Sequence, residues 1–88
     1  MIDKELTYEI MIKALSRKYE TELKSIDEQI RKAAENGSST VTCECDDGNG
    51  RYIAKVLVKY GFQVQVGNCL RNIDGELKAV NDLIIYWA

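Results

Sequence analysis

The stretch Ser25–Cys45, SIDEQIRKAAENGSSTVTCEC, decides how the rest of the chain is read, because it holds a helix, a stop and a strand in succession. Ser25 followed by Glu28 has the form of a capping box, in which two side chains satisfy backbone N–H groups at a helix start. Ile26, Ile30, Ala33 and Ala34 then recur at helical spacing, which leaves Asp27, Glu28, Arg31, Lys32 and Glu35 for water. Asn36-Gly37 ends the helix, since glycine enters the left-handed conformation without a Cβ clash. Beyond Ser38 and Ser39 the period changes to two. Val41, Cys43 and Cys45 face one way, and Thr40, Thr42 and Glu44 the other.

Working back toward the start, residues 1–24 contain neither glycine nor proline. Ile2, Leu6, Ile10/Met11, Leu15, Tyr19, Leu23, Ile26 and Ile30 follow at three- to four-residue steps, an apolar stripe along a helix. One straight rod over residues 3–36 would be about 50 Å long. A compact chain of this length has a radius of gyration of only about 12 Å. The reading is therefore a helical extension over 1–24 on a domain over 25–88, with a bend near Ser25 or a projecting first helix.

Working forward, the acidic loop Asp46-Asp47-Gly48-Asn49-Gly50 precedes a second helix from about Arg51 to Tyr60, with Ile53, Leu57 and Tyr60 as its buried line. Gly61 closes it, and Phe62, Val64 and Val66 alternate with Gln63 and Gln65 as a second strand. Asp74-Gly75 is a hairpin turn pair. The last segment, Leu77–Trp87, reads as a strand with a bulge near Asn81-Asp82. Its run Leu83-Ile84-Ile85-Tyr86-Trp87 is apolar enough for a central position. A right-handed crossover sets the first two strands in the same direction. The expected fold is a two-layer α/β (α+β) domain. It has a three-stranded mixed sheet with the third strand central and helices on one face. The other face shows Thr40, Thr42, Gln63, Gln65, Ile84 and Tyr86.

The chain has 88 residues and a formal net charge of −2, with 12 basic and 14 acidic side chains interspersed. That balance argues against binding nucleic acid or anionic membrane by bulk charge. No apolar run approaches the roughly 20 residues of a membrane span, and no export signal opens the chain. Three cysteines in that context read as reduced thiols, so the expected location is the cytoplasm.

Three pieces of this pattern occur together elsewhere: Lys32-Ala33-Ala34-Glu35-Asn36-Gly37 at a helix end, Leu57–Val64 as L-x-x-x-G-F-x-V, and a terminal Ile85-Tyr86-Trp87. With them the chain resembles small uncharacterised proteins of tailed bacteriophages over about residues 25–88, and the preceding helical extension is also usual there. It departs from them in the insert Asn68–Asp82 and in Cys43 and Cys45. The resemblance implies a phage origin, a host-cell cytoplasmic location and an accessory or structural role. It brings no catalytic residues.

The chemical candidates are few. Cys43-x-Cys45 with Cys69 has three of the four ligands a structural zinc needs, and the chain has no histidine to supply the fourth. Cysteines at alternate strand positions are ordinary small core residues, and the expectation is packing, without metal or cofactor. The loop Asp46–Gly50 lacks the glutamate that closes a calcium loop, and it reads as a helix cap supplied by Asp47 or Asn49. Without histidine, a general base near neutral pH would need a strongly shifted carboxylate or amine, so no enzyme is expected. What is left is surface. Ile2, Leu6, Ile10, Leu15 and Tyr19 on the first helix, with Ile84 and Tyr86 on the sheet, are the expected contacts for a protein partner or a homodimer. Arg51, Lys55 and Lys59 line the second helix as an alternative nucleic-acid or small-ligand contact. A minor structural role in the virion is the other alternative.

Overall fold

The computed structural model describes residues 1–87. Its elements are α1 (Lys4–Lys18), α2 (Glu20–Glu35), β1 (Thr40–Asp46), α3 (Gly50–Lys59), β2 (Gln63–Ile73) and β3 (Glu76–Tyr86). The sheet order is β1-β3-β2, so the third strand is central, as the apolar terminal run requires. β1 and β2 run in the same direction but never touch. Both pair with β3, and every ladder is therefore antiparallel rather than mixed.

The helical region breaks at Tyr19, not at Ser25. Asp3 caps α1, its carboxylate accepting from the Leu6 N–H at 2.8 Å. At Tyr19 the backbone leaves the helical region (φ −109°, ψ 27°). The reason is tertiary. The Tyr19 ring is buried at 4 % exposure, stacks on Tyr52 at 6.5 Å between centroids, and donates its O–H to Asn49 Oδ1. The kink lets α1 lie against α3 while α2 lies against β1. Ser25 consequently sits inside α2, where its carbonyl and hydroxyl both accept from the Gln29 amide at 3.3 Å. The boundary drawn at residue 25 falls within an unbroken helix.

The two helix stops are legible and present. Gly37 (φ 82°) donates to the Ala34 carbonyl and Ser38 to that of Ala33, and Gly61 (φ 96°) and Phe62 repeat the pattern on Val58 and Leu57. Both are Schellman motifs, which require a residue with positive φ. The hairpin turn is Asp74-Gly75, with φ of 53° and 84°.

The core lies between the sheet and the helices. Ile53 of α3 and Leu83 and Ile85 of β3 are fully buried, with Val56 and Cys43 nearly so. Each such aliphatic side chain contributes about 1.5–3 kcal/mol by leaving water. The molecule is elongated, 51 × 33 × 20 Å with a radius of gyration of 14.4 Å. Two overhangs explain this. The first turns of α1 extend past the C-terminal end of α3, with Tyr8 beside Lys59. The β2–β3 hairpin extends past β1, which pairs with β3 only from Tyr86 to Val80.

Candidate functional site

The expected bulge at Asn81-Asp82 is absent. Asn81 stands opposite Cys45 and Asn68, and Asp82 opposite Glu44 and Gly67, in continuous register. Each polar side chain has a use that lets the strand run through. Asn81, only 3 % exposed, turns its Oδ1 to the N–H groups of Gly48 and Gly50 at 3.0 Å and donates from Nδ2 to Asn68 Oδ1 at 2.7 Å. It thus does for α3 what Asp47 or Asn49 was expected to do. Asn49 occupies the N-cap position without a side-chain cap bond. Gly50 is required there, because a Cβ would lie 2.6 Å from that of Asn81. The acidic loop is structural.

Asp82 turns to the other face, among charged neighbours. It accepts from the Cys69 thiol at 2.9 Å and from Arg71 Nη2 at 3.2 and 3.3 Å, while Arg71 Nε meets Glu44 at 3.0 Å. The thiol hydrogen bond first, and then Arg71, hold the Asp82 carboxyl below its ordinary value. The same hydrogen bond raises the Cys69 thiol, which is the opposite of what an activated nucleophile needs. Cys43 and Cys45 lie on the helix side of the sheet, Cys43 opposite Leu83 and Cys45 opposite Asn81. Cys69 pairs with Val80 and belongs to the other face, so the sheet keeps it away from the other two thiols. Burial pushes Cys43 up and Cys45 up to about 11, leaving both as neutral core thiols. Among the described residues no cluster of metal-ligating side chains forms.

The apolar stripe of the first helix divides in two. Tyr19 and Ile12 are buried, and Leu15 packs on the core, so Tyr19 and Leu15 are structural rather than contact residues. Leu6 and Ile10 lie on the opposite side at 48 % and 52 % exposure, since a four-residue step keeps them on one face away from Ile12, and Ile2, 53 % exposed, precedes the Asp3 cap of the helix. Ile84 and Tyr86 are on the open face of the sheet, half-buried, with the Tyr86 O–H donating to Gln65 Oε1 at 3.3 Å. Arg51, Lys55 and Lys59 do follow one another along α3, but over aromatic rings. Arg51 and Lys55 lie 4.8 and 5.9 Å from the Tyr52 centroid, and Lys59 lies 6.0 Å from that of Tyr8. A groove of about 470 Å³ between the helices is lined by Leu23, Ile30, Leu57 and Phe62, with Asp27 among its few polar members.

One surface has no counterpart in the sequence reading. On the overhanging hairpin Leu70 and Leu77 are 67 % and 71 % exposed and share a face, because Leu70 pairs with Ala79 and Leu77 with Asn72. Val66, 42 % exposed, continues that face along β2. The signal was present in the alternation Val66, Asn68, Leu70. What it lacked was any indication that no helix reaches that far.

No described helix is long and apolar enough to cross a membrane. Set against protein-family models, curated proteins and solved structures, the chain matches none.

Proposed function

We propose that this chain is a small accessory protein that works by docking on another protein, with the start of α1 as its contact element. The observation that supports this is Leu6 and Ile10, about half exposed on the side of α1 turned away from the body, with the equally exposed Ile2 just before the helix. An amphipathic helix presenting such residues fits a hydrophobic groove on a partner. Magnitudes set the partner's shape. Removing the exposed half of three aliphatic side chains from water contributes about 3 kcal/mol. Association costs about 4–15 kcal/mol in lost translational and rotational freedom. The groove must therefore also take neighbouring surface such as the exposed Met1. The resemblance to bacteriophage proteins favours a partner among phage or host proteins of an infected cell's cytoplasm. The nucleic-acid alternative has less support, since its three cations are already engaged with tyrosine rings in a chain of net charge −2. A minor virion component is favoured only if the protein copurifies with particles.

The test replaces Leu6 and Ile10 by Glu. Both side chains point outward, so circular dichroism and melting temperature should stay as in the parent. Partner proteins retained by the immobilised parent chain should be lost by the variant. Retention of the same partners by both chains would show that α1 is not the contact.

A further inference from the structure

The sheet has two free edges of different character. β1 is seven residues long and carries Glu44 and Asp46, with Asp47 following. Charge and shortness are the ordinary protections of an exposed edge. β2 has neither. It is eleven residues long, QVQVGNCLRNI, without proline, lysine or any acid. Its single charge, Arg71, is paired within the chain to Asp82 and Glu44. An edge of this kind presents a row of backbone N–H and C=O groups to any strand that matches it.

We propose that the matching strand is β2 of a second copy. In this arrangement two chains pair antiparallel, edge to edge, about a two-fold axis at Asn68, to give one continuous six-stranded sheet. The register follows from the side chains. A two-fold between antiparallel strands sets one residue opposite itself and keeps each face on its own side. Centred on Asn68, it sets the exposed Val66 opposite Leu70 of the second copy on the helix side, and Gln65 opposite that copy's Arg71 on the other. No like charges meet. Centred on Gly67 the axis would set the exposed Val66 opposite Asn68 and Leu70 opposite the already half-buried Val64, and centred on Cys69 it would set Val66 opposite Asn72 and Leu70 opposite Asn68, so only Asn68 pairs the two exposed aliphatics with each other. Paired β1 edges centred on Glu44, Cys45 or Asp46 would set an acid against an acid (Glu44 against itself, Glu44 against Asp46, or Asp46 against itself), which costs stability.

The same register answers the overhang. Leu70–Ile73 would lie beside residues 66 to 63 of the second copy, the end of β2 that leads out of α3. The helix layer of each chain thereby flanks the bare Leu70–Leu77 face of the other. On α3 the residue available for this is Val58, exposed on the flank away from Val56 and Tyr52, which face the other helices. Self-pairing through β2 also leaves α1 free, so this inference stands apart from the docking role of Ile2, Leu6 and Ile10.

Light scattering across a wide concentration range should give a limiting mass twice the 10.0 kDa of one chain. Val66→Lys with Leu70→Lys, both at exposed positions, should raise the dissociation constant at least about tenfold per substitution. Leu6→Glu with Ile10→Glu should leave the mass unchanged. Amide exchange gives a second readout on the unmodified chain. The outward-facing N–H groups of residues 63 to 73 should slow as concentration rises, while those of β1 should not. The proposal fails in any of four cases: a monomer at every concentration, masses growing beyond the dimer (β1 pairing with β2 head to tail), a dimer that survives the two lysines, or a dimer lost with the α1 substitutions.

Discussion

β3 is one strand in two environments. From Val80 to Tyr86 it is paired on both edges and overlaid by α3 on one face, and Leu83 and Ile85 have no accessible surface. From Glu76 to Ala79 it has β2 alone for a neighbour, and every residue is exposed. Composition does not separate the halves by itself, since Leu77 and Leu83 are the same residue at positions of the same parity. What separates them is how far β1 and α3 extend. A leucine becomes core only where other elements reach it, and where they stop the same alternation becomes a surface that another molecule can use.

The largest expected effect tests that difference directly. Leu83→Ala should lower stability by about 3 kcal/mol, the cost of a buried leucine and the cavity it leaves. Leu77→Ala should change it by less than about 0.5 kcal/mol, in the range of exposed substitutions. Urea denaturation of the two variants gives the comparison, and similar midpoints would mean that the overhang is packed in solution. In a domain whose total stability is on the order of 5–15 kcal/mol, the first loss is severe.

The junction between the halves comes next. Asn81→Ala removes the acceptor from the Gly48 and Gly50 N–H groups and the donor to Asn68, and should cost about 1–3 kcal/mol. Gly50→Ala should cost a similar amount for a different reason, because its Cβ would meet that of Asn81 at 2.6 Å. The pair has a signature in a double-mutant cycle. Asn81→Ala removes the Cγ and Oδ1 contacts at 3.0 and 2.8 Å but leaves the Cβ at 2.6 Å, so only Asn81→Gly should relieve most of the Gly50→Ala penalty, and strict additivity with it would rule out the contact.

The smallest effect concerns the open face. The folded Asp82 carboxyl binds its proton more weakly than the unfolded one, held down by the Cys69 thiol and Arg71. Its contribution is therefore present above the unfolded value near pH ~4 and fades as pH falls through the lower folded value. Asp82→Asn should flatten the fall in stability between about pH 5 and pH 2 and should leave the slope from pH 6 to pH 8 unchanged. An unaltered acid limb would show that the thiol and Arg71 contacts do not persist in solution.

The outcome differed between kinds of signal. Helix stops at Gly37 and Gly61 and the turn at Asp74-Gly75 were legible because a positive φ is a local demand that few residues meet. The apolar run from Leu83 to Trp87 was legible as the central strand because its composition suits no edge. The break at Tyr19 was not, since nothing around it marks an end. Ser25 and Glu28 carried the stronger local signal, yet the helix breaks where the Tyr19 ring is buried against Tyr52 and its O–H reaches Asn49. Asn81-Asp82 misled for a similar reason. Two polar residues in an apolar strand look like an interruption until the loop and the ion pairs that use them are in place. Of the residues expected at a contact, Ile2, Leu6 and Ile10 are about half exposed. Tyr19 and Leu15 went to the core, and Leu70 and Leu77 were found only in the structure.

By itself, the sequence determined the elements, their order and which face of each is apolar, because those follow from φ preferences and from the periods of 3.6 and 2 along the chain. Only the tertiary structure decided where the helices bend and how far each element reaches past its neighbours. It also decided which apolar residues are left uncovered at the two ends. Those outcomes depend on partners many residues away, such as Asn49 for Tyr19 and Gly50 for Asn81, and no local pattern specifies such a pair until the chain has folded.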